Sequence, residues 1–143
     1  MAIAAWAGPE GSSLVVYRAL PVPDGTAAMI ADALVNRMEH LPGVVILERR
    51  TEPVAGRTAA RVELTAPGTG DALAPSGAGE FVVPEGQKPV STRQVTIGFV
   101  RPDQTLYLRW HTPEASYERI VGDIRATLES LRLDPGEPSP PAK

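Results

Sequence analysis

Between Thr26 and Gly43, in TAAMIADALVNRMEHLPG, Ile30, Leu34, Met38 and Leu41 recur every three or four positions, which is one stripe of a helix. Asp32, Asn36, Arg37 and Glu39 stay off that stripe, and Pro42 with Gly43 is expected to stop the helix. Upstream, SSLVVYRAL (residues 12–20) is rich in β-branched and aromatic side chains and ends at PVPDG, so it reads as a strand closed by a turn. Downstream, VVILERR (44–50) and TAARVELTA (58–66) flank TEPVAG and predict a hairpin. In the second of these strands Ala60, Val62 and Leu64 alternate with Arg61 and Glu63, so one dry face and one wet face are expected.

The strongest strand pair comes later. RQVTIGFV (93–100) puts Val95, Ile97 and Phe99 on one face, RPDQ makes a tight turn, and TLYLRWH (105–111) puts Leu106, Leu108 and Trp110 on one face. Tyr107, Arg109 and His111 take the opposite face. Tyr117, Val121, Ile124, Leu128 and Leu131 then form a second helical stripe, widened by Ile120 and Leu133. Truncating a core leucine such as Leu128 to alanine is expected to cost about 2–5 kcal/mol. At the junction, Thr112 is placed as the helix N-cap, Pro113 as the first helical residue and Glu114 in the first turn.

Two segments break the pattern. Residues 67–91 are dominated by glycine, proline and small polar side chains around the short apolar island Phe81-Val82-Val83, and read as a flexible insertion. Residues 134–143 contain four prolines and no core-forming side chain, and read as a disordered tail. What remains is one domain over residues 1–133 in the order β-α-β-β-loop-β-β-α. The fold class is α+β, with an antiparallel sheet of five to six strands flanked by two main helices.

Composition narrows function more than fold. With 143 residues, 43% apolar and 22% charged, the chain has the make-up of an ordinary globular domain. A net charge of −3 gives no global attraction for nucleic acid, and none is expected as a partner. Without cysteine there are no disulfides, thiol nucleophiles or thiolate metal ligands. No apolar run approaches the roughly 20 residues of a membrane-spanning helix. The start, MAIAAWAGPEGSS, is too short in its apolar part and lacks the basic head of a signal peptide. The chain as written reads as cytoplasmic, or as extracytoplasmic if a leader has been removed.

Catalytic patterns are missing. There is no G-x-S-x-G elbow and no H-E-x-x-H, and the two histidines, His40 and His111, lie 71 positions apart. His40 is assigned to the negative end of the first helix. Two histidines without cysteine make no metal-ligand cluster, and no cofactor or metal is expected. GTG at 68–70 lacks the glycine-lysine pair of a phosphate loop. The arginines Arg49, Arg61, Arg93 and Arg109 all fall in predicted strands. If those strands are neighbours, Arg61, Tyr107, Arg109 and His111 would share a sheet face suited to acidic groups on a protein partner. The alternative is a small hydrolase or small-molecule-binding enzyme using His111 with Tyr107 or Arg109 near the strand end.

The segment LPGVVILERRTEPVAGRTAARVELT, the closing hairpin and helix from Gln94 to Leu133, and the ending Leu128, Ser130, Leu131, Leu133 resemble the PsbP-like α/β/α sandwich family. The likeness runs over about residues 6 to 133 and extends to the LpqN-type and EagR-type bacterial branches. It implies a mostly non-enzymatic role: a binding, adaptor or chaperone-like module acting by protein contact, with a link to a bacterial secretion or assembly system. It carries over no branch's contact residues, and oligomeric state stays open, a homodimer included. The glycine-rich N-terminal approach and the long 67–91 loop depart from the family pattern.

Overall fold

The structure is a computed structural model that describes residues 2–68 and 90–132. Most of the proposed 67–91 insertion, with Phe81-Val82-Val83, therefore lies outside the described residues, as do Leu133 and the 134–143 tail. Six strands form one antiparallel sheet: β1 (Ala2–Ala7), β2 (Ser13–Ala19), β3 (Val45–Val54), β4 (Arg57–Gly68), β5 (Val90–Val100) and β6 (Thr105–Pro113). Their spatial order is β1-β2-β6-β5-β4-β3. Helices α1 (Ala27–Met38) and α2 (Tyr117–Ser130) complete the fold.

The sequence pattern explains most of these elements. In α1 the Oγ1 of Thr26 accepts from the backbone N–H of Met29, an N-cap that satisfies one free donor of the first turn. Ile30, Ala31, Leu34, Val35 and Met38 are buried, as their spacing requires. The helix stops at Met38, short of Pro42, and the chain turns through Gly43 at φ +78°. Leu41, beyond the helix end, still packs beside Met38 and Leu64. β3 runs on through Thr51-Glu52-Pro53, because it is an edge strand in which proline's missing donor can face away from the ladder. The reversal is the two-residue turn Ala55-Gly56, both at positive φ, the geometry that matches strand twist.

Three expectations need correction. The N-terminal residues Ala2–Ala7 form a strand on β2, although AIAAWA shows no clear alternation. Thr112 does not cap α2. It is buried inside β6, a 3-10 turn (Glu114–Ser116) follows, and α2 starts only at Tyr117. β4 has no wet face either: Ala60, Val62 and Leu64 pack toward α1, while Arg61 and Glu63 are enclosed on the opposite side.

The two helices cover opposite faces of the sheet. One core joins Ile120 and Ile124 of α2 with Val95, Ile97, Phe99, Leu106, Leu108 and Trp110. The other joins α1 to Ala60 and Val62. Gly98 lets α1 approach β5 closely, since a Cβ there would sit 2.9 Å from the Cγ2 of Ile30. Leu128 is only half-buried at the rim of the α2 core, whereas Ile124 is 1% exposed. The large truncation cost thus belongs to Ile124. Chemical denaturation should show Ile124→Ala losing about 2–5 kcal/mol and Leu128→Ala distinctly less. Equal losses would mean that α2 seats on the sheet differently.

Candidate binding face

Antiparallel register decides which side chains share a face. Arg61 lies opposite Ile97, and Ile97 lies opposite Leu108, so Arg61 projects to the α2 side. Arg109 lies opposite Thr96 on one neighbour and Val15 on the other, which places it on the α1 side. The four residues singled out from sequence therefore divide. Tyr107, Arg109 and His111 come together, and Arg61 is excluded by parity.

Arg61 is instead part of a structural clamp. The Glu63 carboxylate, in a residue 7% exposed, accepts from Arg61 Nε at 2.8 Å, Arg93 Nη1 at 3.1 Å and the Tyr117 hydroxyl at 3.2 Å. Arg93 also pairs with both oxygens of Glu114, at 3.3 and 3.1 Å, and its guanidinium lies 3.9 Å from the Tyr117 ring centre. Arg61 reaches Glu52 at 3.3 Å. Glu114 and Tyr117 open the passage into α2, so the clamp fixes that helix to β4 and β5. Burial alone would raise the Glu63 pKa, but the hydrogen bonds and charge of Arg61, the Tyr117 hydroxyl and the charge of Arg93 together hold it below the ordinary value. Arg49, on the α1 side, pairs with Asp32 at 3.1 Å.

α1 packs chiefly over β3, β4 and β5, with Tyr107 of β6 against the edge of its core. On the β2–β6 part of this face Tyr17 stands opposite Tyr107, Val15 opposite Arg109 and Ser13 opposite His111. Tyr17, Tyr107, Arg109 and His111 are half-buried there, while Ser13 and Thr96 are buried. Arg109 Nε donates to Thr96 Oγ1 at 3.4 Å, and its guanidinium carbon lies 5.0 Å from the Tyr17 ring centre. Burial lowers the Arg109 pKa, with Tyr17 acting against that and the nearby charge of Arg37 adding to it. Burial likewise raises the Tyr107 pKa, partly offset by Arg37 and Arg109. The in-register neighbours of His111 are a hydroxyl and an amide, Ser13 and Gln94, with no carboxylate to orient the ring. Gln94 is 2% exposed, and its Oε1 meets no hydrogen-bond donor among the described residues. His40 lies past the end of α1, largely exposed, with Glu39 as its neighbour. No group of three or more potential metal ligands occurs among the described residues. Nor is any described helix long and apolar enough to cross a membrane.

This architecture has counterparts among solved structures. PA94 of Pseudomonas aeruginosa, a protein of unknown function suggested to be a regulator, matches with a TM-score of 0.67 at 17% identity, over 92% of this chain and 83% of that one. Cyanobacterial PsbP of Synechocystis matches with a TM-score of 0.50 at 11% identity, over 84% of this chain and 65% of that one. The fold is PsbP-like. LpqN of Mycobacterium tuberculosis, involved in cell envelope biogenesis, gives a TM-score of 0.48 at 11% identity, over 87% of this chain and 64% of that one. The chain thus spans a little under two thirds of the PsbP and LpqN chains. No protein-family model and no curated protein matches the sequence.

Within the PsbP-like frame, sequence reasoning missed Tyr17 and Thr96 as neighbours of Arg109. The signal was present in part, since Tyr17 sits in a predicted strand, but nothing in the sequence pairs β2 with β6. The Glu63 clamp was missed because Arg61 and Glu63 look like ordinary surface charges. Removing one member of a buried charge cluster leaves the others uncompensated, so Glu63→Gln should destabilise by about 3–5 kcal/mol. Because the folded pKa of Glu63 is depressed, its contribution is complete above the ordinary value of 4.5 and is lost as pH falls through the folded value. Urea titrations between neutral and acidic pH should show wild type losing more stability than Glu63→Gln. Parallel losses would contradict the clamp.

Proposed function

We propose that this protein is a non-catalytic binding module, adaptor-like or chaperone-like, that works by protein contact through the β2–β6 half of its α1-side sheet face. The observation that carries this reading is the composition of that face. A sheet surface beside a helix is most stable when filled with apolar side chains, yet here it holds Arg109, His111, Gln94 and two tyrosines. A buried amide oxygen without a donor and a desolvated guanidinium both cost folding free energy. Such costs concentrate where surface chemistry is used. Tyrosine and arginine are also the side chains most enriched at the energetic centres of protein interfaces.

PsbP-like relatives supply the fold for this proposal and no partner. Location outside the cytoplasm and a link to a bacterial secretion or assembly system belong to the same reading, with a protein as the partner.

A photoreactive phenylalanine analogue at Tyr17, in protein expressed in its native cells, tests the face directly. Illumination should yield a discrete heavier adduct. The same probe at Arg125, an exposed position of α2 on the other side of the sheet, should not yield that band. Absence of any adduct from Tyr17, or the same band from both positions, would refute the assignment.

A further inference from the structure

Resting on that reading, the contact face can be given a chemical preference. Arg109 is the central cation of the β2–β6 half-face, and its surroundings lack an anion among the described residues. Its neighbours are the Thr96 hydroxyl, the Tyr17 ring and Tyr107, with Arg37 of α1 contributing a second positive charge. No described carboxylate forms an ion pair with Arg109, whereas Arg49, Arg50, Arg61, Arg93 and Arg119 each have one. The contrast is informative because the chain is not short of acids. It carries 17 of them against 14 lysines and arginines, yet no carboxylate among the described residues pairs with its partly buried Arg109. A guanidinium removed from water needs a counter-charge to recover its desolvation cost, and the planar fork is matched best by a carboxylate.

We infer that Arg109 accepts a carboxylate from an acidic segment of the protein partner, held between the Tyr17 and Tyr107 side chains with Thr96 steadying the guanidinium. The Thr96 hydroxyl accepts from Nε, and Tyr17 is hydrogen-bonded to the same guanidinium, so hydroxyls already orient the fork toward the incoming group. Tyr17 and Tyr107 stand directly opposite each other across β2 and β6, next along the strands from Arg109, and offer apolar rings with hydroxyls to the segment's backbone. An acidic segment is the partner chemistry that this guanidinium selects.

The test is an amide and arginine-side-chain NMR titration of the full chain with three probes. These are a glutamate-rich decapeptide, the same peptide with glutamine for every glutamate, and glutarate as a free carboxylate. The expected result is saturable shifts at Tyr17, Thr96, Tyr107 and Arg109 with the acidic peptide and none with its glutamine form. Arg109→Lys, which keeps the charge and loses the fork, should weaken binding about ten- to a hundredfold, and Arg109→Gln should abolish it. Spectra of the free variants report folding, and Arg109→Lys carries the test if Arg109→Gln unfolds. Saturable binding of glutarate without the peptide would overturn the protein-borne source, and the contact reading with it. No response to any probe would overturn the carboxylate preference alone, since the Tyr17 adduct tests contact independently. Peptide binding that Arg109→Lys leaves unchanged would also overturn it.

Discussion

A single helix cannot cover a face of a six-stranded sheet, and that mismatch of widths shapes this molecule. Six strands about 4.8 Å apart span roughly 24 Å, whereas a helix with its side chains is about 10–12 Å across. α1 therefore seals the β3–β4–β5 side and reaches β6 only at Tyr107 among the described residues. α2 lies on the opposite face, where its core takes in Trp110 with Leu14 and Val16 packed at the margin, and the Glu63 clamp ties the helix down. The asymmetry puts Ala60 and Val62 under a helix while Arg109 and Tyr107 remain beside it.

The two sides solve the problem of strand arginines differently. On the α2 side Arg61 and Arg93 meet Glu63, Glu52 and Glu114, so the charges cancel inside the fold and tie α2 to the sheet. On the α1 side Arg109 meets hydroxyls and rings. The first arrangement is self-contained and needs no partner. The second has hydroxyls and rings in place of a described carboxylate. This difference separates two sets of residues that look alike in the sequence.

Both helices and the β5–β6 hairpin were legible because their apolar stripes are long and regular. Ile30-Leu34-Met38 and Tyr117-Val121-Ile124 admit no other period, and Trp110 in phase with Leu108 had to be core. What was not legible depends on relations between strands. Parity along β4 places Arg61 opposite in phase to Val62, but only the register Arg61–Ile97–Leu108 shows that it cannot join Arg109. The alanine-rich β1 carries too little alternation to announce a strand. Thr112-Pro113-Glu114 has the composition of a helix cap, yet strand pairing of Thr112 with Arg93 won, and Glu114 went to Arg93 instead of the helix end.

The central claim is that Tyr17, Tyr107 and Arg109, half-buried on the β2–β6 part of the α1-side face, can be reached from solvent in the free protein. Solvent paramagnetic relaxation measures this directly, using a soluble gadolinium chelate and side-chain resonances of the isolated full chain. Tyr17, Tyr107 and Arg109 should relax markedly faster than Ala60, Val62 and Ile30, which lie under α1. Equal protection of both sets would show that the face is already covered, and the account of it as a contact surface would fail.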